Sequence, residues 1–291
     1  MQADISIWPA PAKLNLFLHI TGQRADGYHL LQSVIQFIDL ADELQFSPRQ
    51  DAQITVVNSN SEISANEDLS VRAAKLLQQT YGVSQGVDIQ LTKKIPIGAG
   101  LGGGSSDAAT TLLALNKLWS CNVSQTELES LAAQLGADVP IFVRRTACAV
   151  QGIGEQLVSI ALEEPWYVVL FPKVYLNTEK MFKHPNLTRN SEPIKICDFF
   201  ELEASQTSNW QLATQNVFEP LARQEPGVER AFQWLGQYLP ARLTGSGSSL
   251  FAACTSKQHA SEIAKECPPE FDIYVTKGMN QSPLVSLNEY N

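Results

Sequence analysis

Apolar and polar side chains alternate along residues 13–20. Leu14, Leu16, Leu18 and Ile20 fall on one face, and Lys13, Asn15, Phe17 and His19 on the other. This is the period of a half-buried strand. One face belongs to a core. The other carries Lys and Asn side by side, and reads either as a solvated strand surface or as the wall of a site. The pattern extends to a strand, or a pair of strands, over residues 5–20, interrupted by Pro9 and Pro11.

The same patterning gives the coarse organisation. Thr21-Gly22 and Asp26-Gly27 mark turns, and residues 41–58 read as two strands broken around Pro48. Leu69, Ala73, Leu76 and Leu77 predict a helix over residues 69–81. Residues 87–91 alternate as a strand, 108–119 form an Ala- and Leu-rich helix, and 125–135 form another helix ending at Gly136. Residues 149–165, with Gly152, Gly154 and Glu163-Glu164-Pro165, read as an interdomain connection. Then come a strand over 166–171, a loop over 176–190, helices over 211–221 and 228–239, and a second glycine turn over 244–249. An apolar strand, a helix over 260–267 and a strand over 271–275 close the chain. Strands and helices mix without regular alternation, which predicts an α+β fold. The division expected is 1–160 and 161–291.

Between the strand at 87–91 and the next helix lies Pro96-Ile97-Gly98-Ala99-Gly100-Leu101-Gly102-Gly103-Gly104-Ser105-Ser106-Asp107. Glycines let backbone N–H groups crowd around an anion. A helix N-terminus behind them adds unpaired N–H groups and about half a positive charge. The combination points to a phosphate cradle; the alternative is a structural turn or hinge. Gly98-x-Gly100-x-x-Gly103 fits the dinucleotide fingerprint, but no ribose-binding acid follows at the required spacing. No Lys follows the last glycine, so the loop is not a Walker A, and no His-Arg-Asp or Asp-Phe-Gly occurs. Leu135-Gly136-Ala137-Asp138-Val139-Pro140 sets a carboxylate between a helix end and a Pro-started segment. Asp138 is there either a helix cap or a group facing a cleft.

The chain has 291 residues with 44% hydrophobic content, enough for one large or two modest domains, and a net charge of −9. That charge argues against nucleic acid and against an anionic membrane surface. A polyphosphate ligand therefore needs a local positive field. Five cysteines, odd in number and without a Cys-x-x-Cys pair, suggest reduced thiols in the cytoplasm. Neither a signal peptide nor a membrane-spanning run is expected.

The glycine loop resembles the Pro-x-Gly-Ala-Gly-Leu-Gly-Ser/Gly-Ser-Ser motif of the GHMP small-molecule kinases. The resemblance narrows with Pro11-Ala12-Lys13-Leu14-Asn15-Leu16, Arg24-Ala25-Asp26-Gly27-Tyr28-His29, the Asp138 segment, Asn216-Val217-Phe218-Glu219-Pro220 and Gly278-Met279-Asn280. Together these resemble the branch of that family whose acceptor is a cytidine-diphosphate sugar alcohol of the methylerythritol phosphate route to isoprenoid precursors. The resemblance implies a two-domain fold: an N-terminal domain like the second domain of ribosomal protein S5, with a left-handed βαβ crossover, and a ferredoxin-like C-terminal domain. It implies ATP as co-substrate, accompanied by Mg²⁺, and phosphorylation of a tertiary hydroxyl in the cleft between the domains. Lys13 and Asp138 match the catalytic pair. Lys93 and Pro96, Ile97, Gly98, Ala99, Gly100, Leu101, Gly102, Gly103, Gly104, Ser105 and Ser106 match the nucleotide site. Tyr28 and Phe182 match the aromatics that sandwich cytosine, and His29 the group that reads its edge. Asn15 and Thr178 complete the acceptor contacts, and no protein metal ligand is implied. Asp68 stands where the family has Asn near the adenine. Other GHMP kinases of mevalonate or homoserine type, and a non-catalytic sensor on the same fold, are the alternatives. A small-molecule substrate and a monomer or weak homodimer are expected.

Overall fold

The computed structural model describes residues 7–58, 67–195 and 214–288. Its first strand, β1 (Trp8–Gln23), runs unbroken through both prolines. It pairs antiparallel with the longest strand, β2 (His29–Arg49). Residues 32–38 carry no alternation, because β2 is buried on both faces there, and such runs hide their period. Pro48 does not break β2. At that position the strand pairs only with β4 (Gly86–Thr92), so Pro48 sits at an edge, where a missing N–H is tolerated.

β3 (Ile54–Asn58) pairs parallel with β4 through the helix α1 (Leu69–Tyr81), a β-α-β unit. α2 (Gly103–Leu118) begins five residues before the expected Ala108, inside the glycine run itself. Every residue of α2 from Ser106 to Leu115 is buried, so this helix is the axis of the N-terminal half. α3 (Gln125–Leu135) starts at a Ser124–Glu127 capping box, and α4 (Val139–Arg144) follows Asp138. The expected connection over 149–165 is instead largely a hairpin, β5 (Cys148–Gln151) and β6 (Gln156–Ser159), with Gly152 and Gly154 in its turn.

β7 (Trp166–Phe171) opens the C-terminal half. The segment read as a loop contains α5 (Thr178–Lys183), capped by the Asn177 side chain. Of the helix expected over 211–221, residues 211–213 lie outside the described residues, and only α6 (Glu219–Ala222) is helical. α7 (Pro226–Leu235), β8 (Arg242–Leu243), β9 (Leu250–Cys254), α8 (Lys257–Lys265) and β10 (Asp272–Met279) complete the chain before a terminal 3₁₀ turn.

Among the described residues the strands form one 10-stranded sheet whose main path runs β3-β4-β2-β10-β7-β9-β8. β10 joins the halves by pairing with β7 along its length and with β2 at Gly278 and Met279. A core between β1, the glycine loop and β7/β9 includes Leu14, Phe17, Ile95, Leu101, Val169 and Phe251. It contains residues from both sides of position 160, so the cleft above it has a continuous floor.

Candidate active site

The cleft on that floor has a volume of about 560 Å³ and brings together segments far apart in sequence. Lys13, Asn15, Lys93, the loop from Pro96 to Ser105, Asp138, Thr178 and Phe182 all line it. Ser106 does not. It lies fully buried inside α2, its N–H bonded to the Gly102 carbonyl and its Oγ without a protein partner among the described residues.

The alternation in β1 does not run through to His19. A bulge between Asn15 and Phe17 inserts Leu16 and exchanges the faces. Lys13 and Asn15 therefore share the cleft wall with Leu18, while Phe17 is fully buried in the central core. His19 stacks edge-on to Phe17 at 5.0 Å and accepts from the Gln215 N–H, away from the cleft.

Lys13 is 3% exposed and Asp138 44% exposed, with Nζ and Oδ2 3.4 Å apart. Lys13 Nζ also donates to Asn15 Oδ1 at 2.5 Å. Asn15 in turn donates from Nδ2 to Ser33 Oγ at 2.8 Å, and Ser33 Oγ donates to the Phe17 carbonyl at 2.6 Å. This relay holds a buried ammonium in one position and leaves it a donor for a third group. Asn15, expected among the acceptor contacts, thus has its side chain occupied by Lys13 and Ser33. Asp138 makes no side-chain cap to α4, so its carboxylate faces the cleft.

The glycine loop is fastened on both sides. Leu101 accepts from the Lys13 N–H at 3.0 Å, and Ala99 from the Ser249 N–H at 3.0 Å. Gly100 and Gly102 have φ of +78° and +76°, a region that favours glycine. A Cβ at Gly100 would lie 2.5 Å from the Thr244 carbonyl oxygen, and one at Gly102 would lie 2.8 Å from the Phe142 ring. The second glycine turn thus packs directly on the first.

Below the loop, Asp42 Oδ1 accepts from the backbone N–H groups of Lys94 and Ile95. Lys93 Nζ bridges Asp42 at 2.5 Å and Asp107 at 2.6 Å. This buried triad fixes the strand end to the helix start, so that α2 points its N-terminus into the cleft. Lys93 stays charged: burial opposes its charge, but Asp107 and Asp42 together raise its pKa. Asp68 lines the same cleft while its side chain caps α1 by accepting from the Ser70 N–H.

A second cavity of about 660 Å³ adjoins the first and shares Leu31, Ala137, Ile153, Gly154 and Phe182 with it. Tyr28, 62% exposed, and His29 line this one. The His29 and Phe182 rings lie 5.3 Å apart at 34°. Phe182 is seated edge-on against Phe218 at 4.8 Å. Arg189, which no sequence pattern singled out, donates from Nε to His29 Nε2 at 3.1 Å. A glycine-rich loop at a helix start, a Lys–carboxylate pair and an aromatic pocket therefore follow one another along one groove.

Among the described residues no group of three or more His, Cys, Asp or Glu is placed to hold a metal ion. Ser105 and Asp138 are among the oxygen-bearing side chains that line the cleft beside the loop and the lysine. They suit a hydrated hard cation that arrives with a phosphate ligand.

Known proteins resemble this chain in sequence and in fold. The GHMP kinases N terminal domain family matches residues 68–145, and the GHMP kinases C terminal family matches residues 198–272. The 4-diphosphocytidyl-2-C-methyl-D-erythritol kinase of Chromohalobacter salexigens is 46% identical over 276 residues, covering 95% of this chain and 92% of that protein. The protein of the same name from Nitrosococcus oceani is 45% identical over 284 residues, covering 97% of this chain and 98% of its own. A crystal structure of 4-(cytidine 5′-diphospho)-2C-methyl-D-erythritol kinase superposes with a TM-score of 0.79 at 30% identity, over 94% of this chain and 99% of that one. At this identity and coverage, with the same fold, the chain belongs to the 4-diphosphocytidyl-2-C-methyl-D-erythritol kinase family of the GHMP kinases.

Proposed function

We propose that the chain transfers the γ-phosphoryl group of ATP to the tertiary 2-hydroxyl of 4-diphosphocytidyl-2-C-methyl-D-erythritol, with Lys13 and Asp138 at the reacting hydroxyl. The observation that carries this reading is the position of the pair. Lys13 and Asp138, 3.4 Å apart, stand between the glycine loop at the start of α2 and a cavity lined by Tyr28, His29 and Phe182.

The acceptor oxygen attacks the γ-phosphorus, the bond from that phosphorus to the bridging oxygen breaks, and ADP leaves. The hydroxyl proton passes to Asp138. An alcohol is far too weak an acid to ionise beforehand against a carboxylate, so the proton moves late, in a loose transition state. Lys13 orients the hydroxyl and offsets charge at the transferring group, and the Asn15–Ser33 relay keeps it from turning away. The loop amides and the start of α2 hold the phosphates. Ser105 and Asp138 would lie beside a Mg²⁺ accompanying the nucleotide, which would supply further neutralisation of phosphate charge. Tyr28, His29 and Phe182 hold the cytosine, and Thr178, hydrogen-bonded to Ser246 at 2.8 Å, borders the acceptor's path. We place the reaction in the cytoplasm, in a monomer or weak dimer, and divide the chain near residue 160.

The test is a panel of acceptors with ATP and Mg²⁺, with ADP release followed and the product mapped by ³¹P NMR. Turnover of the cytidine acceptor with a new phosphomonoester on the 2-carbon is expected. Turnover of mevalonate, homoserine or galactose instead would replace this reading.

Two substitutions probe separate ends of the groove. Gly102→Ala puts a Cβ 3.2 Å from Lys13 Cε as well as against Phe142. A displacement of about 1 Å in a catalytic group can cost on the order of a hundredfold, so kcat should fall by roughly that factor with the fold retained. Unchanged kcat by steady-state assay would separate the loop from the lysine. Phe182→Ala removes one face of the pyrimidine pocket. At about 1–3 kcal/mol per stacked base, the KM for the cytidine acceptor should rise about 5- to 150-fold while the KM for ATP stays put. A rise in the KM for ATP instead would move the aromatic pocket to the nucleotide.

A further inference from the structure

Arg189 makes four hydrogen bonds, and each says something about His29. Its Nη1 donates to the Leu187 carbonyl at 3.1 Å. Its Nη2 donates to the carbonyls of Phe182 at 2.8 Å and His184 at 2.9 Å. These acceptors sit at and just beyond the end of α5, so the guanidinium is clamped in place. The remaining donor, Nε–H, points at His29 Nε2 at 3.1 Å.

Guanidinium has no acceptor atom and does not lose its proton in proteins. The nitrogen it faces must therefore be a lone pair. His29 can hold its proton only on Nδ1. That nitrogen makes no hydrogen bond to another protein group among the described residues, and the residue lines the aromatic cavity. We propose that Arg189 is a positioning residue: it fixes His29 as the neutral tautomer protonated on Nδ1, so that the pocket presents an N–H donor to the acceptor edge of the base. This rests on the cytidine reading above. Cytosine offers N3 and O2 as acceptors on one edge, whereas uracil carries a proton on N3. A fixed donor aimed at N3 therefore favours cytosine, since the uracil N3–H would oppose it.

Two further observations point the same way. Burial first, and the Arg189 charge second, lower the His29 pKa, which keeps the ring neutral. And because Arg189 also holds the Phe182 carbonyl, a single side chain ties the edge-reading imidazole to the backbone of the residue that flanks the base. Losing it should loosen both.

The experiment is ¹⁵N NMR of histidine-labelled protein, reading the two ring nitrogens of His29 directly. The wild-type protein should show a protonated Nδ1 and an unprotonated Nε2 at neutral pH. In Arg189→Met the Nε2-protonated form should appear. In Arg189→Lys, which keeps one charged donor, the wild-type pattern should be partly restored. Steady-state kinetics add the functional arm. Arg189→Met should raise the KM for the cytidine acceptor about tenfold with little change in kcat, and the rise should shrink to the part carried by Phe182 when His29→Ala is already present. A protonated Nε2 in the wild type, an unchanged Nδ1 proton in Arg189→Met, or fully additive KM effects would overturn the proposal. If the wild-type protein shows no turnover of the cytidine acceptor, the substrate reading fails while the NMR arm still decides what Arg189 does to His29.

Discussion

Asp138→Asn is expected to lower kcat by between about a hundredfold and ten-thousandfold, the range that a positioned proton acceptor contributes. The amide keeps the shape of the carboxylate and can still accept a hydrogen bond from Lys13. It cannot take the proton of the attacking hydroxyl, and it removes the charge that pairs with a lysine only 3% exposed. Nucleotide binding should survive, because Asp138 lies outside the loop and outside the Asp42–Lys93–Asp107 triad that anchors it. Calorimetry should therefore give a Kd for ATP close to that of the wild type. A variant retaining more than about a tenth of the wild-type kcat would leave proton transfer without its acceptor and remove Asp138 from the mechanism. Loss of ATP binding in step with kcat would make it part of the phosphate site instead.

The parts of this site that were legible in the sequence share a feature: their chemistry is written in consecutive residues. A glycine run between a strand and a helix declares a tight backbone loop at a helix start, and the chain has one there. Lys13 and Asn15 side by side on a strand were legible as a solvated face or a site wall, and the resemblance pointed to the wall. What was hidden depends on geometry that the local pattern does not encode. The bulge at Leu16 is one residue of slippage, and it moves Phe17 into the core and Leu18 onto the cleft wall. The first half of β2 was invisible because a strand covered on both faces loses its alternation. The hairpin at 148–159 was mistaken for a connection because its turn glycines look the same in either setting.

Side-chain partnerships across long sequence separations were the least legible. Ser33 and Asn15 meet only because β1 and β2 pair in this register. Arg189 reaches His29 across 160 positions, from a segment whose composition reads as loop. A basic residue in such a segment is ordinarily solvated, and nothing in its neighbours marks it otherwise. Lys93 was legible, through the resemblance, as a residue beside the glycine loop, and it lines the cleft there. That it is held by two carboxylates, one contributed by β2, was not.

That triad leads to the largest stability effect expected here. Lys93→Met leaves Asp42 and Asp107 facing each other in a dry space, and removing one partner from a buried ion pair costs about 3–5 kcal/mol. The cost should depend on pH with a definite sign. Burial holds the Asp107 carboxyl well above the usual carboxylate range, Lys93 opposes that rise, and Asp42 adds to it. Without the lysine the opposition is gone and the carboxyl rises further. An unfolded aspartic acid titrates near about 3.9, so above that value the folded variant binds more protons than the unfolded chain. Stability then falls as pH rises through the window between the two titrations. Urea unfolding should accordingly show a smaller penalty for Lys93→Met near pH 5, where Asp107 is protonated and hydrogen-bonds to Asp42, than near pH 8. The KM for ATP should rise at the higher pH as the repelling carboxylates loosen the loop entry that Asp42 holds through the Lys94 and Ile95 amides. A penalty below about 1 kcal/mol, or one that does not change with pH, would mean that the two carboxylates separate freely once the lysine is gone and that the loop is anchored by other contacts.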